Sequence, residues 1–182
     1  MKKNIRNTLF LSTLLFGYSV TANASNSNSE KHFSIGVGSY AFSLANDDND
    51  SGTIDFSGIN VAAGYAFSNK FQIRATYFSL ENDNGYSGLE NKGFDLMAYG
   101  GVGLLKRGFR GYGGAGFFSE EWGNQGDSVF GFQFGGGLGY NWGPAALDFV
   151  LTLRQSDEYE DFVVVSGTYV AVSGNLTISY LF

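Results

Sequence analysis

The sequence predicts an all-β fold: an eight-stranded antiparallel up-and-down transmembrane β-barrel. Apolar and polar residues alternate with a period of two in many segments, short and long connections alternate, and the chain ends on an aromatic residue, Phe182. The composition agrees, because 27 glycines, a single proline and 17% aromatic residues suit strands with unbroken hydrogen-bond ladders. Beyond the N-terminal segment no apolar run is long enough for a membrane helix. If the chain spans a bilayer, it must therefore do so as a closed barrel.

The first element is a predicted cleaved signal peptide over residues 1–24. Basic residues precede an apolar stretch over 9–20, and Ala22 and Ala24 offer the small side chains that precede a signal-peptidase cut. The alternative is an uncleaved anchor, for which the apolar stretch is short. Residues 25–182 are then the barrel domain.

Charge and cysteine content exclude some kinds of partner and site. The formal net charge of −6 disfavours a nucleic-acid partner. With no cysteine in the chain, neither a disulfide framework nor a thiolate metal site is possible.

Eight strands are predicted from this periodicity and from the turn residues between them. Their ranges are 32–44, 55–67, 70–81, 93–105, 108–118, 128–141, 145–154 and 162–182. The last range is longer than a bilayer requires. It therefore predicts either a bulge near Ser173-Gly174 or an extension beyond the bilayer around Phe162–Thr168, where Val163–Val165 would form an edge open to strand addition.

Alternation assigns the two faces of the strands. Apolar residues of one parity in the last strand are predicted to face lipid: Val170, Val172, Leu176, Ile178, Tyr180 and Phe182. In the fourth strand Phe94, Leu96 and Leu104 share the corresponding face. Glycines on the middle strands are predicted to leave room for inward Tyr112 and Phe118, because an eight-stranded barrel is narrow.

Polar residues of the opposite parity are predicted to line the interior as a polar network. The set is Asn60, Arg74, Asp95, Arg110, Gln133, Asp148 and Arg154. One interpretation is a conduction path. The other is a plug of ion pairs and hydrogen bonds, which the narrow interior favours.

The connections alternate in length. Residues 68–69, 106–107 and 142–144 form tight turns, whereas the four longer connections are rich in acidic residues. The longer ones are 45–54, 82–92, 119–127 and 155–161. This polarity is typical of outer-membrane barrels, whose short turns are periplasmic.

Several side chains near the connections carry specific predictions. Glu120 is assigned to an acidic loop, and Tyr86, Leu89 and Trp122 are predicted to be exposed on the outer loops. Four aromatic residues are assigned to the periplasmic girdle: Phe67, Phe71, Tyr140 and Trp142.

These features together resemble the small outer-membrane barrels of the OmpA/OmpX type, over residues 32–182. The resemblance implies a Gram-negative outer-membrane location. It also implies that the barrel-assembly machinery reads the final strand through Leu176, Ile178, Tyr180 and Phe182. Such families include adhesins and complement-evasion factors, so the resemblance does not choose one role.

The predicted function is a non-enzymatic structural or surface-interaction barrel, acting as a monomer without cofactors. Its expected partners are outer-membrane lipid, lipopolysaccharide and an extracellular or host-surface ligand of the loops. The alternatives are a small gated pore and a lipid-A-modifying enzyme. His32-Phe33-Ser34 resembles the His-x-Ser of one deacylase class, although it begins the first strand, at the end opposite to that chemistry.

A metal site is considered and not predicted. Residues 47–55 resemble the start of an EF-hand loop, with Asp47, Asn49 and Ser51 at alternating positions. Gly58 stands where the bidentate Glu should be, and a solvated acidic loop is the simpler interpretation.

Overall fold

The computed structural model describes residues 30–46, 53–84, 89–123, 127–160 and 169–182. Eight strands and one short helix follow in chain order. They are β1 (Phe33–Asn46), β2 (Thr53–Ser68), β3 (Phe71–Asn82), β4 (Glu90–Val102), β5 (Gly108–Trp122), β6 (Asp127–Asn141), β7 (Ala145–Arg154), α1 (Asp157–Glu160) and β8 (Tyr169–Leu181).

Each strand pairs with its sequence neighbours, and β8 pairs with β1, so the sheet is a closed barrel in up-and-down order. All eight pairings are antiparallel. Closure leaves no free edge, because every strand has two partners. The eight-stranded antiparallel architecture expected from the sequence is confirmed. Among the described residues no helix is long and apolar enough to cross a bilayer.

Two ends of the barrel can be distinguished. The turn end carries the connections 69–70, 103–107 and 142–144, together with Phe33 and Phe182, whose backbone groups exchange hydrogen bonds of 3.0 and 3.1 Å. The loop end carries the other four connections, of which residues 47–52, 85–88, 124–126 and 161–168 lie outside the described ranges.

The predicted outward and inward faces are largely as expected. Most outward residues of β7 and β8 are exposed and apolar, whereas inward Val150, Thr152, Asn175 and Thr177 are buried. Leu104 is an exception to the prediction. It is buried because β4 ends at Val102 and Gly103 turns the chain with a φ of +78°, which carries Leu104 out of the strand alternation.

The prediction for the last strand is corrected. In the described residues β8 runs over Tyr169–Leu181, and Ser173 and Gly174 pair in unbroken register with both neighbours, so no bulge lies there. The register shift of the sheet lies between Ala66 and Ser68 of β2, beside a tight turn. The predicted extension over 162–168 and the Val163–Val165 edge lie outside the described residues.

The β5–β6 connection is shorter than predicted. β5 continues to Trp122 and β6 begins at Asp127, so most of the predicted loop 119–127 is strand. The pairs Ser119↔Phe130 and Glu120↔Val129 continue the ladder. The extension is stabilised by Glu120, which is buried inside the barrel and pairs with Arg154.

Candidate functional site

The interior of the barrel is polar and filled. All seven residues that the sequence predicted to line it are buried in the structure. They do not form one continuous network. All five charged residues of this set belong to two separate clusters centred on Asp148 and Arg154, and the two amides donate to backbone carbonyl groups of neighbouring strands.

The Asp148 cluster lies towards the turn end and consists of Arg74, Arg110, Tyr112 and Asp148. Arg74 Nη2 donates to Asp148 Oδ2 at 2.8 Å, and Arg110 Nε donates to Oδ1 at 2.7 Å. Arg110 Nη2 also donates to Oδ2, which makes this pair bidentate. The Tyr112 hydroxyl donates to Oδ1 at 2.9 Å, so one buried carboxylate accepts from three side chains.

Glycines of β6 make this cluster possible. Gly139 lies in register between Arg110 of β5 and Asp148 of β7. A Cβ on Gly139 would overlap the Asp148 carboxylate and lie 3.1 Å from Arg110 Nε. Two residues earlier, a Cβ on Gly137 would lie 2.5 Å from the Tyr112 ring. The expectation that glycines make room for inward aromatic side chains therefore holds for Tyr112.

The Arg154 cluster lies towards the loop end and consists of Tyr40, Asp95, Glu120 and Arg154. Arg154 Nη2 donates to Asp95 Oδ1 at 2.8 Å and to the Tyr40 hydroxyl at 2.6 Å. The Tyr40 hydroxyl in turn donates to Asp95 Oδ2 at 2.7 Å. Arg154 Nη1 donates to Glu120 Oε2. Both carboxylates thereby pair with a single guanidinium.

Aromatic rings surround that guanidinium. Its central carbon lies 4.7 Å from the ring centroid of Phe118, 5.1 Å from Phe78 and 5.2 Å from Phe42. Rings at these distances attract a cation through their quadrupoles and exclude water from the ion pairs. Arg154 is thus held by charge on one side and by aromatic surface on the other.

Glu120 is a buried member of the Arg154 cluster that the predicted polar network does not include. The sequence assigns it to an acidic loop, but the structure places it inside the barrel, where it is 1% exposed. The signal was present in the sequence, because Glu120 has the same strand parity as inward Phe118. Acidic residues of the neighbouring connection concealed it.

Charges inside the barrel balance. The buried charged side chains of the described residues are three arginines and three carboxylates: Arg74, Arg110, Arg154, Asp95, Glu120 and Asp148. The Asp148 cluster has one excess positive charge and the Arg154 cluster one excess negative charge. Asn60 and Gln133 add neutral contacts, since Asn60 Nδ2 donates to Ser39 O at 2.8 Å and Gln133 Nε2 donates to Phe117 O at 3.0 Å.

A cap of aromatic side chains covers the Arg154 cluster at the loop end. The Tyr159 hydroxyl of α1 donates to Glu120 Oε1 at 2.6 Å, and Trp122 Nε1 donates to the same oxygen at 2.8 Å. Burial, followed by the nearby Glu120 charge, raises the pKa of Tyr159, which keeps the hydroxyl protonated as a donor.

The predicted exposure of two loop side chains is wrong. Trp122 and Leu89 are partly buried and pack against the apolar cluster that contains Phe42, Phe56 and Tyr159. They are not freely exposed: Trp122 ends the extended β5, its ring lies 5.8 Å from that of Tyr159, and Leu89 packs against the same apolar cluster. Tyr86 lies outside the described residues.

The structure gives His32 a local partner at the turn end. Its Nδ1 lies 2.6 Å from the Ala66 carbonyl oxygen, and its ring stacks on Tyr65 at 5.8 Å between centroids. These contacts agree with the predicted position beside the turns.

No group of three or more potential His, Cys, Asp or Glu ligands occurs in the part of the chain that the structure describes. The Asp47–Asp50 segment lies outside that part. Asp55, at the end of the EF-hand-like segment, belongs to β2, and its Oδ1 accepts a hydrogen bond from Ser43 Oγ at 2.7 Å.

The two ends of the barrel differ in charge and in aromatic content. Exposed acidic residues of the described chain gather at the loop end: Glu81, Asp83, Glu90, Glu121 and Asp157. Basic residues gather at the turn end: Lys31, Lys70, Lys106 and Arg107. Outward aromatic residues also ring the turn end, including the predicted Phe67, Phe71 and Trp142.

The predicted assembly-signal residues all point outward near that end. Leu176, Ile178, Tyr180 and Phe182 are 45%, 55%, 57% and 56% exposed. They form one apolar stripe along the outward face of β8.

Comparison with known proteins agrees with this architecture at the level of the fold. The attachment invasion locus protein Ail of Yersinia pestis is similar, with a TM-score of 0.55 and 19% identity over 85% of this chain and 100% of that one. Neisserial surface protein A gives a TM-score of 0.56 and 16% identity over 82% of this chain and 97% of that one.

The N-terminal barrel domain of Pseudomonas aeruginosa OprF gives a TM-score of 0.53 and 15% identity over 82% of this chain and 97% of that one. The fold is that of the small eight-stranded outer-membrane barrels. No protein-family model matches the chain, and no curated protein matches it in sequence.

Proposed function

We propose that residues 25–182 form a non-enzymatic integral barrel of the Gram-negative outer membrane, released from a signal peptide over residues 1–24. Its role is structural or surface-interacting. Similarity in fold to Ail, OprF and Neisserial surface protein A supports the location.

One observation carries this proposal: the hydrophobicity of the barrel is inverted relative to a soluble protein. Outward positions on all eight strands expose large apolar side chains, mainly Phe, Leu, Ile and Val. The interior buries three arginines and three carboxylates. Exposed apolar surface of this extent is unfavourable in water and favourable in hydrocarbon. The turn end with its aromatic ring is proposed to face the periplasm, and the acidic loop end the exterior.

The interior is proposed to act as a structural plug. Each buried carboxylate is held by at least one arginine, and Tyr159 and Trp122 cover the loop end. Such ion pairs fix the relative register of distant strands and leave little space for a conducting path. The contact of His32 with a backbone carbonyl offers no support for a catalytic pair.

The acidic loop end determines which partners are plausible. Ail has been crystallised with the heparin analogue sucrose octasulfate. Here the only exposed base at the loop end of the described chain is Lys92, and it already pairs with Glu90. The loops are therefore proposed to contact lipopolysaccharide through bridging divalent cations, or an extracellular ligand that is not polyanionic.

A topology experiment tests the location and orientation. An epitope is inserted into the connection between β3 and β4, or into the 142–144 turn, and intact and permeabilised cells are labelled. We expect heat-modifiable protein in the outer-membrane fraction, with only the loop-end epitope reached on intact cells. Recovery as detergent-free soluble protein would overturn the proposal.

The surface role is tested by deleting the four loop-end connections one at a time. Each variant that still inserts is scored for cell adhesion and for envelope integrity. We expect at least one deletion to reduce one of these readouts. If all four leave both unchanged, the surface-interaction role fails while the location stands.

A further inference from the structure

An apolar groove runs along the outer wall above the turn end. Its volume is about 440 Å³, and its walls are side chains of β4 to β8, among them Val102, Phe109, Leu138, Leu147 and Phe149. Gly111 contributes to the floor, where the absence of a side chain deepens the groove. The size lies in the range of clefts that hold small ligands or parts of them.

Aromatic residues line the turn-end mouth of this groove. Phe109 is 86% exposed, and its ring meets that of Tyr140 at 5.0 Å in an edge-to-face arrangement. Tyr140 in turn contacts Trp142 at 5.1 Å. Aromatic residues in this position lie at the level of lipid headgroups in membrane barrels.

Positive charge lies at the turn end, in the connection that precedes Phe109. A Cβ built on Gly143 would lie 2.5 Å from Arg107 Nε, so the guanidinium packs against the β6–β7 turn that follows Tyr140. Arg107 and its neighbour Lys106 are both exposed. At the turn end of the described chain, Glu30 is the only exposed acidic side chain.

From this juxtaposition we propose a binding site for an anionic phospholipid of the periplasmic leaflet. Its phosphate would pair with Arg107 and Lys106, and one acyl chain would occupy the groove between Phe109 and Leu138. The proposal rests on the outer-membrane location and orientation proposed above. It adds the lipid class and the residues that select it.

Two physical terms favour this occupant. Arginine binds phosphate through a planar fork of donors, and juxtamembrane basic residues attract anionic lipid. An acyl chain makes more van der Waals contacts in the apolar groove than on the neighbouring wall. That wall lacks side chains where Gly100, Gly113 and Gly136 pair side by side on β4 to β6.

Quenching of Trp142 by brominated acyl chains tests the proposal. The chain has two tryptophans, and Trp122→Phe leaves Trp142 as the reporter beside the groove. The variant is refolded into phosphatidylcholine vesicles that contain brominated phosphatidylglycerol or, at the same mole fraction, brominated phosphatidylcholine. We expect stronger quenching by the anionic lipid.

Charge variants test the headgroup contact. Arg107→Gln and Lys106→Gln should each lower the preference for phosphatidylglycerol by about five-fold. Lys70→Gln, at the β2–β3 turn, is the matched control and should leave the preference unchanged. An equal loss with Lys70→Gln would mean a general surface-charge effect and would overturn the site.

Glycine variants test the acyl-chain contact. Gly111→Val should fill the groove and lower the quenching of Trp142. Gly113→Val is the control, because its side chain lies on the same face of β5 but outside the groove, and it should leave the quenching unchanged. A Cβ at these positions meets its nearest atom at 3.4 and 3.7 Å, so both variants should fold. Equal quenching in the two variants would overturn the proposal.

Heat-modifiable mobility separates the two possible failures. A barrel that inserts but shows no preference for the anionic lipid overturns this site alone. A chain that does not insert overturns the proposed location, and the lipid site with it. Should Trp122→Phe prevent insertion, the same variants are compared in the wild-type chain, where Trp122 lies at the opposite end.

Discussion

At the residue scale, the interior depends on side chains that are absent as much as on those present. Gly139 lets Arg110 of β5 reach across β6 to Asp148 of β7, and Gly137 accommodates the Tyr112 ring. The lipid-facing Gly100 has no comparable neighbour, since the nearest atom to a Cβ there would be 4.0 Å away. Glycines of similar appearance in the sequence therefore have different structural roles.

We predict that Gly139→Ala destabilises the barrel by about 1–3 kcal/mol, because the added methyl group displaces the Asp148 carboxylate from Arg110. Gly100→Ala, on the lipid face, should change the stability by less than about 0.5 kcal/mol. Urea unfolding from lipid vesicles measures both. Equal stability of the two variants would contradict the assignment of Gly139.

We predict that Arg154→Met destabilises the barrel by roughly 3–5 kcal/mol, since it leaves Asp95 and Glu120 buried without a counter-charge. Adding Asp95→Asn and Glu120→Gln should recover part of the loss, because the neutral amides need no cation. The same unfolding measurement applies. Lys92→Met, which removes an exposed ion pair, serves as the control and should leave unfolding unchanged.

At the element scale, the ends of the strands follow from what their last side chains contact. β5 extends beyond Phe118 because Glu120 finds Arg154 and Trp122 finds the apolar cluster around Phe42. β4 stops at Val102 because Gly103 adopts a positive φ. The extension of β5 depends on partners on other strands, and a local pattern contains no information about them.

The outward stripe of β8 leads to a prediction about assembly. Phe182→Ala should lower the amount of folded protein in the outer membrane of cells, because the resemblance implies that the assembly machinery reads this residue. Phe130→Ala is the matched control, since Phe130 is also 56% exposed but lies on β6 at the loop end.

Both variants should refold equally well from urea into detergent micelles, where no machinery is required. The measurement is the heat-modifiable fraction on gels, in cells and after refolding. Equal yields of the two variants in cells would contradict the role of Phe182.

At the scale of the whole molecule, the arrangement of charge distinguishes three regions. The interior is neutral overall, the loop end is acidic, and the turn end is basic. A protein with this distribution has a polarity across the membrane that its net charge of −6 does not reveal.

We predict that the refolded protein shows no steady unitary conductance in planar bilayers, because the two ion-pair clusters and the aromatic cap occupy an already narrow interior. Single-channel recording measures this directly. A steady conductance that disappears when Arg74 or Asp148 is replaced would identify the interior as a path and not a plug.

We also predict that the loop end does not bind sucrose octasulfate measurably, since its exposed carboxylates repel a polyanion. Isothermal titration calorimetry in detergent, at low and at physiological salt, is the measurement. Binding that weakens with salt, and that persists when the four basic residues of the turn end are replaced by Gln, would indicate a basic surface at the loop end that the described residues do not contain.

The sequence by itself determined the number of strands, their order and the face that most strand side chains occupy. This was possible because side-chain direction in a strand depends only on position parity, and because a closed barrel fixes which parity meets lipid. All seven predicted interior residues could thus be identified from local alternation alone.

Only the tertiary structure decided which of those residues meet. Tyr40 joins Arg154 across 114 residues of chain, and Asp95 joins Arg154 across 59. Their contact depends on the stagger of all the intervening strands, which no local pattern encodes. Strand parity marks Glu120 as an inward position, but only closure of the barrel shows that its partner there is Arg154.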